Sequence, residues 1–332
     1  MKYERISLAR IVQGSPDDEL YVFTFRPDLT ELQASIERSG LLVAPLLKEK
    51  EAGSYRVVCG SSRIKVLRHL GCESVGAFVV SDKQWADAKC LSRSILENRW
   101  HRGFNEVEKA LVFTRLEDRF PHLLPDLADA LGEDLKMPRD PKSLASYRFI
   151  LSLDEPIREA LAREELSLGQ VLLLRGFSVD AHGVFCRVMT ECGLTLQESR
   201  KAALWCLEAA AREGKGTSEF LEEVVTGPVL NEATSTQHRA QRLFTVLRNR
   251  RYPLAESWKA RFASAWSQVN AQDKGIRVIH DPTFESTWIK VQIQATSAPE
   301  FTMRLETLAE AAREGKIEGL FQAMSVESSD LS

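Results

Sequence analysis

The spacing of apolar residues predicts alternating strands and helices over about the first 100 residues. Leu29, Leu32 and Ile36 recur on one helical face and Gly40 follows, so a helix is expected over 29–39. Four segments are expected to be extended, at 20–25, 42–48, 55–58 and 75–80. A short helix is expected between the last two of them, at 62–70.

From about residue 84 to residue 225 the pattern is almost entirely helical. Asn105 followed by Glu108 predicts a capping box at the start of one helix. Asp140 and Pro141 form a second start signal, an N-cap carboxylate with proline in the first turn. The helices expected here are 85–97, 105–120, 124–131, 141–153, 155–163, 168–175, 181–192 and 195–212.

The remaining chain begins with a linker pattern and ends with a small mixed domain. Residues 226–237 are rich in Gly, Pro, Ser and Thr, which favours a linker. Apolar and polar residues alternate in two segments, which predicts two strands, and a helix is expected on each side of this pair. In chain order these four elements are 254–270, 276–280, 288–294 and 299–324. We therefore expect an α+β protein with three domains, at 1–100, 101–225 and 238–325.

Composition narrows the class of protein. The 332 residues are 44% hydrophobic and 27% charged, with a net charge of -3, as in ordinary globular proteins. The absence of a long apolar run and of a signal-like start predicts no membrane span and no secretion. The six cysteines show no zinc-like spacing, so we expect free thiols in a reducing cytoplasm. Contacts with nucleic acid must come from local basic clusters.

The turn Gly60-Ser61-Ser62-Arg63 carries the first candidate chemistry. It lies between a predicted strand and a predicted helix, where backbone N–H groups and the Arg63 guanidinium could face an anion. The plainer interpretation is that Ser62 caps the helix and Arg63 points to solvent. The sequence leaves both interpretations open.

The order of several motifs resembles the ParB family of DNA-partition proteins, over most of the chain. The family pattern L-x-x-S-I-x-x-x-G-x-x-x-P has counterparts here, with one extra residue before the proline. The family's G-E-R-R turn matches 60–63, and its E-N-x-x-R and N-P-x-E segment matches 97–102 and 105–108. The residues that match the first pattern are Leu32, Ser35, Ile36, Gly40 and Pro45.

The resemblance implies a pocket for CTP and Mg²⁺. Glu97 and Asn98 would be the metal ligands, since Mg²⁺ prefers hard oxygen donors beside phosphate; the alternative is a polar pair at a helix end. The nucleotide-binding residues it implies are Gly60, Ser61, Ser62, Arg63, Asn98, His101 and Arg102.

Three positions depart from the family pattern. Ser61 and Ser62 replace the glutamate and first arginine of the turn, and His101 replaces the later arginine, with Arg102 one position beyond it. Each charge-assisted contact is worth about 1.5–3 kcal/mol. We therefore expect weak or altered nucleotide binding, and absent or slow CTP hydrolysis.

The same fold is shared with sulfiredoxin, whose reactive cysteine is the second residue of a G-C-H-R turn. Here that position is Ser61, and Cys59 precedes the glycine inside a predicted strand. Thiol chemistry is therefore disfavoured.

A candidate helix-turn-helix follows in the chain. Residues 124–132 fit the first helix and turn, and 141–153 the recognition helix, although the intervening loop is longer than usual. An ordinary surface helix is the alternative. The candidate DNA contacts, beginning with the two loop residues that would hold phosphates, are Lys136, Arg139, Lys142, Ser143, Ser146 and Arg148.

A second basic cluster comprises Arg239, Arg242, Arg248, Arg250 and Arg251. It could bind DNA non-specifically, form a solvated helix face or bind an acidic protein partner.

The last domain resembles the ParB dimerisation domain, so we expect a homodimer in which the strand 288–294 pairs with a second copy; the alternative is a monomeric domain packed on the rest of the chain. Family members usually begin with a basic arm that engages a ParA-type ATPase, and no such arm is expected here because folded sequence starts at once.

The function expected is that of a CTP-responsive, nucleoid-associated protein that binds double-stranded DNA in partition or gene regulation. One alternative is a nucleotide-dependent phosphotransferase or nuclease with Glu97 as its essential carboxylate. The other is a scaffold that has lost both ligands, which the negative net charge and the depleted turn favour.

Overall fold

The chain divides into two units, Met1–Arg200 and Lys201–Ser332, and the first contains a four-stranded sheet. The computed structural model describes residues 1–50, 53–101, 103–121, 141–226, 229, 235–269, 275–281 and 288–324. The strands and helices that begin in the first unit are β1 (Lys2–Ser7), α1 (Thr30–Ser39), β2 (Leu46–Lys50), β3 (Ser54–Cys59), α2 (Ser61–His69), β4 (Ser74–Val80), α3 (Asp87–His101), α4 (Glu106–Arg119), α5 (Pro141–Ser152), α6 (Glu155–Ala162), α7 (Leu168–Leu173), α8 (His182–Glu191) and α9 (Leu196–Glu213).

The sheet has the strand order β1-β4-β2-β3. β4 pairs antiparallel with β1 and parallel with β2, and β2 pairs antiparallel with β3. Both faces carry apolar side chains, because Leu47 and Val57 belong to a core with Ile64 of α2, while Leu46 belongs to a second core with Ile95 of α3. The sheet is therefore the middle layer of this part of the chain.

A buried segment without regular structure lies beside the second core. Tyr21 and Phe23 are completely buried, yet the segment belongs to no strand. Arg115 of α4 donates to the carbonyl oxygens of Glu19 (2.7 Å) and Val22, and its guanidinium lies 5.0 Å from the centre of the Phe23 ring. Burial lowers the pKa of Arg115 to about 10. These charge-assisted contacts replace the backbone partners that a strand would have provided.

A buried carboxylate joins the same segment to the start of α4. Glu108 is fully buried, and it accepts hydrogen bonds from Phe25 N (2.8 Å) and Asn105 N (3.3 Å). The Asn105 side chain accepts in return from Glu108 N (2.9 Å), so the predicted capping box is confirmed.

The second unit contains the end of α9 and a small sheet. Strands β5 and β6 pair antiparallel, and their core includes Phe262, Ile276 and Leu320. No helix in the described part of the chain is long and apolar enough to cross a bilayer. The elements of this unit after α9 are α10 (Thr217–Leu221), α11 (Thr236–Arg251), α12 (Pro253–Gln268), β5 (Ile276–His280), β6 (Ile289–Ile293), α13 (Ala298–Arg313) and α14 (Lys316–Ala323).

The structure confirms a mixed α+β chain and corrects several expected elements. Residues 20–25 form no strand, and β1 was not predicted. The helix expected over 299–324 is two helices, because Gly315 adopts a left-handed conformation (φ 73°) between them. The three-domain arrangement stays a prediction, and the first helix of the candidate helix-turn-helix lies outside the described residues.

Replacing Glu108 by alanine should destabilise the first unit by about 2–4 kcal/mol, because two interior N–H groups lose their acceptor. The matched control is Glu106→Ala on the same helical turn, which removes only a partly exposed pair with Lys109 and should cost less than about 1 kcal/mol. Urea denaturation followed by circular dichroism measures both. Equal losses of stability in the two variants would contradict the role given to Glu108.

Candidate phosphate-binding cavity

A cavity of about 150 Å³ lies where the buried segment meets β3, α2 and α3. We call it the Gly60 cavity. It includes every described side chain of the predicted nucleotide and metal sets. Its lining residues are Tyr21, Val22, Phe23, Thr24, Leu32, Val58, Cys59, Gly60, Ser61, Ser62, Arg63, Ser94, Glu97 and Asn98.

Glycine is required at the turn that forms one wall. Gly60 is the N-cap of α2 with φ 92°, and a Cβ there would lie 3.1 Å from both Pro45 Cβ and the Arg63 guanidinium. Gly60 offers no capping side chain, and the N–H groups of Ser61, Ser62 and Arg63 have no partner within the helix. The partial positive charge of the helix start is therefore directed at the cavity.

Arg63 and Glu97 form an ion pair at the cavity wall. Arg63 Nη2 lies 2.7 Å from Glu97 Oε1, and the two side chains are 17% and 19% exposed. Arg63 Nη1 also donates to the carbonyl oxygen of Val43 at 2.9 Å. Arg63 therefore does not point freely to solvent. The two ionised side chains among the described lining residues have opposite charges, so together they add no net charge.

Asn98 makes a local contact on the same helix. Its Nδ2 donates to the carbonyl oxygen of Ser94 at 3.0 Å, and Ser94 Oγ donates to the carbonyl oxygen of Tyr21 at 2.6 Å. The second bond ties α3 to the buried segment, so these residues share one rigid wall. Among the described residues, no group of three His, Cys, Asp or Glu side chains could hold a metal ion.

Cys59 lies beside the ion pair and is not poised for reaction. Burial raises the pKa of its thiol well above the usual range, and the neighbouring Glu97 carboxylate raises it further. A protonated buried thiol is a poor nucleophile.

Six predicted site residues have side chains that the structure does not describe. Arg102, Lys136 and Arg139 fall outside the described residues, and the side chain of His101 is not described. The side chains of Lys142 and Ser143 are likewise not described, although both residues belong to α5.

The described part of α5 packs one side against α4, as either a recognition helix or an ordinary surface helix would. Tyr147 and Ile150 are buried, and the ring of Tyr147 stacks on that of Phe113 with 5.8 Å between the ring centres. Ser146 is half-buried. Arg148 is exposed, but it pairs with Glu117 (2.7 Å) and Asp118 (2.9 Å) of α4. DNA would have to compete with two carboxylates for this arginine.

Part of the second basic cluster is also paired. Arg250 contacts Glu213 at 3.0 Å and also pairs with Glu223, while Arg251 pairs with Glu208 at 2.5 Å. These pairs link α11 to elements of its own unit. Sequence reasoning missed them because the acidic partners lie at least 27 positions away along the chain.

Sequence reasoning also missed the buried segment as a cavity wall. Four of its residues, at positions 21–24, line the cavity. Its dense apolar and aromatic content was the available signal, but that content was interpreted as a strand. Nothing in the local pattern indicates that the backbone partners are the distant Arg115 and Glu108.

Sequence comparison finds similarity to proteins named for chromosome partitioning and nucleoid occlusion. No model of a known protein family matches the chain. A nucleoid occlusion protein from Halalkalibacterium halodurans is 24% identical over 153 residues, which cover 46% of this chain and 50% of that protein. The chromosome-partitioning protein ParB from Caulobacter vibrioides is 25% identical over 209 residues, covering 62% of this chain and 64% of that protein.

A third relative and one solved structure complete the comparison. A probable chromosome-partitioning protein ParB from Neisseria meningitidis is 23% identical over 190 residues, covering 57% of this chain and 63% of that protein. The chain thus spans half to just under two thirds of these relatives. The solved structure is a C-terminally truncated ParB from Caulobacter crescentus complexed to the parS site, and its sequence is 21% identical to this chain. The match covers 60% of this chain and 98% of the solved chain, with a TM-score of 0.34.

Proposed function

We propose that this chain, a divergent relative of the ParB family, binds double-stranded DNA and binds the phosphates of a nucleotide in the Gly60 cavity. The observation that carries the proposal is that the start of α2 at residues 60–63 lines one cavity with Glu97 and Asn98 of α3, although Arg63 and Glu97 are 34 positions apart. The relatives are named for chromosome partitioning and nucleoid occlusion. We place this chain in the same class of nucleoid-associated processes, in partition or gene regulation.

CTP is the proposed nucleotide, and the helix start supplies its first contacts. The N–H groups of Ser61, Ser62 and Arg63 and the two serine hydroxyls would face the phosphates. The cation of Arg63 reaches them only if it leaves Glu97. Mg²⁺ would bind through the oxygens of Glu97 and Asn98, which again requires Glu97 to leave Arg63. Weak binding and slow or absent hydrolysis follow from this prior pairing.

The Glu97→Gln variant should bind CTP about tenfold more tightly than the wild type in EDTA, because Arg63 loses its charged competitor. With Mg²⁺ present the gain should shrink, since the variant also lacks a metal-ligand carboxylate. Arg63→Gln is the matched control and should bind more weakly than the wild type in both buffers. Isothermal titration calorimetry measures all three proteins.

Two different failures can be distinguished in this experiment. No measurable binding of CTP by any of the proteins would contradict the nucleotide proposal itself. Equal affinity of wild type and Glu97→Gln in EDTA would contradict only the competition between Glu97 and the ligand.

DNA binding is proposed for α5, with the start of the helix in the major groove. Lys142 and Ser143 lie in its first turn. Loop residues Lys136 and Arg139 would contact phosphates. Arg148 is a weaker candidate than the sequence indicated, because Glu117 and Asp118 already hold its guanidinium.

Lys142→Ala should weaken binding to duplex DNA and reduce the salt slope of log K by about 0.9, as expected for one lost phosphate contact. Arg148→Ala should have a smaller effect on both quantities. Fluorescence anisotropy over a range of salt concentrations measures them, with and without CTP. A larger effect of Arg148→Ala than of Lys142→Ala, or no binding to duplex DNA, would contradict this assignment. Crosslinking across the genome would show whether the protein gathers at one locus.

A homodimer is proposed through the second unit. The sheet of β5 and β6 has two strands, which is marginal in water without further packing. Val291 lies between Ile289 and Ile293 on the apolar side of β6, yet it is 44% exposed, and Trp288 just before the strand is 48% exposed. Pairing β6 with its copy would cover both side chains.

Val291→Asp should convert the dimer to a monomer at micromolar concentration, because a carboxylate would be buried at the interface. Gln292→Asp, on the opposite side of the same strand, is the matched control and should remain dimeric. Analytical ultracentrifugation distinguishes the two states. A wild-type protein that sediments as a monomer would contradict the proposed interface.

A scaffold without ligands is the second candidate function. The specific observation in its favour is that Glu97 already neutralises Arg63 at the place where a phosphate would bind. A ParA-type ATPase is a further proposed partner. Binding of CTP and DNA, as measured above, would exclude the scaffold.

A further inference from the structure

One row of side chains crosses the sheet of the first unit from edge to edge. Directly paired residues point to the same face of a sheet. In order, the row is Tyr3, Phe78, Leu46 and Cys59. Tyr3 is 65% and Phe78 38% exposed, whereas Leu46 is only 8% exposed. Helix α3 therefore covers the half of this face formed by β2 and β3, together with Val80 at the end of β4, and leaves Tyr3 of β1 and Phe78 of β4 open.

A groove of about 410 Å³ follows the boundary between the covered and the open half. We call it the sheet-face groove. Its lining residues are Met1, Val43, Ala44, Leu46, Cys59, Phe78, Trp85, Arg93 and Glu97. Met1 and Val43 are 62% and 61% exposed, and the ring of Tyr3 packs edge-on against Phe78 at 5.4 Å. Contiguous exposed apolar surface of this kind marks an interaction site.

The rim of the sheet-face groove is cationic. Lys89 Nζ lies 4.6 Å from the centre of the Trp85 ring, and the exposed Arg93 follows one helical turn later. Within the described residues, no carboxylate forms an ion pair with either cation. Nearby Asp82 pairs with Lys48, at 2.5 Å. The Glu97 carboxylate is paired with Arg63, so neither acid neutralises the rim.

We propose that the sheet-face groove binds an acidic amphipathic helix of a partner protein. One large apolar side chain of that helix would lie between Phe78 and Trp85, and its carboxylates would contact Lys89 and Arg93. A helix rather than a strand fits, because the opening lies on the face of the sheet beside α3, where a second helix would complete the covering layer. This surface lies apart from the proposed DNA site, and it shares Cys59 and Glu97 with the lining of the Gly60 cavity.

Photocrosslinking in the cells that naturally make the protein tests the proposal. Full-length chain carrying p-benzoylphenylalanine in place of Tyr3 is irradiated, and the crosslinked peptide is identified by mass spectrometry. The expected peptide comes from another protein, has a net negative charge and shows apolar residues at i, i+3 or i+4, and i+7. The double variant Lys89→Glu with Arg93→Glu should lower the crosslinking yield about tenfold.

The matched control reverses two exposed cations on the other side of the sheet, Arg38→Glu with Lys65→Glu, and should leave the yield unchanged. A synthetic copy of the identified peptide, with its carboxylates replaced by lysines, should bind the Lys89 and Arg93 double variant more tightly than the wild type. Thermal unfolding by circular dichroism checks that both double variants are folded. Crosslinks to nucleic acid, to a second copy of this chain or to a basic peptide would each overturn the proposal, as would a wild-type yield equal to that of the charge-reversed variant.

Discussion

Burial of an irregular chain segment constrains the arrangement of the whole first unit. Tyr21 and Phe23 are completely buried, and an interior backbone without sheet partners needs other hydrogen-bond donors and acceptors. Arg115 supplies the donors and Glu108 supplies the acceptor, both from α4. The segment and the helix can therefore move only together, because separating them would leave charged and polar groups unpaired in the interior.

This constraint gives the Gly60 cavity a rigid wall opposite the helix start. Ser94 fixes α3 to the carbonyl oxygen of Tyr21, so the segment, α3 and α4 form one hydrogen-bonded assembly. Glu97 projects from the same helix toward Arg63. The helix start offers positive potential, while the ion pair adds no net charge. A phosphate would gain the backbone contacts at once, but it would have to break an existing pair to gain the arginine.

Local sequence signals predicted those features that local interactions decide. The turn at Gly60, the Asn105 and Glu108 capping box and the strand Ile276–His280 were all indicated by residues within a few positions of one another. β1 escaped prediction because five of its six side chains are not buried, so its pattern shows no clear alternation. The break at Gly315 lies inside a continuing helical pattern, which periodicity alone does not reveal.

The parts of the site that could not be predicted depend on distant pairings. The motif comparison indicated that Arg63 and Glu97 share a site. It did not indicate that the two charges would neutralise each other, because a motif predicts which residues lie close together and not which of them form an ion pair. The same holds for Arg148, whose exposed position on the helix was expected and whose two carboxylate partners on α4 were not. Charge counted along the sequence therefore overstates the charge that this chain presents to an anion.

The Gly60 cavity and the sheet-face groove share a wall, and this links events at the two places. Arg63 holds the carbonyl oxygen of Val43, while Val43 and Glu97 also line the groove. Movement of Arg63 toward a phosphate would break its contacts with Val43 and Glu97 together. A ligand bound in the sheet-face groove would favour the state in which both contacts are intact. Coupling between two binding sites is reciprocal. If one ligand binds better while Arg63 and Glu97 are paired and the other binds better once they separate, each ligand lowers the affinity for the other by the same factor.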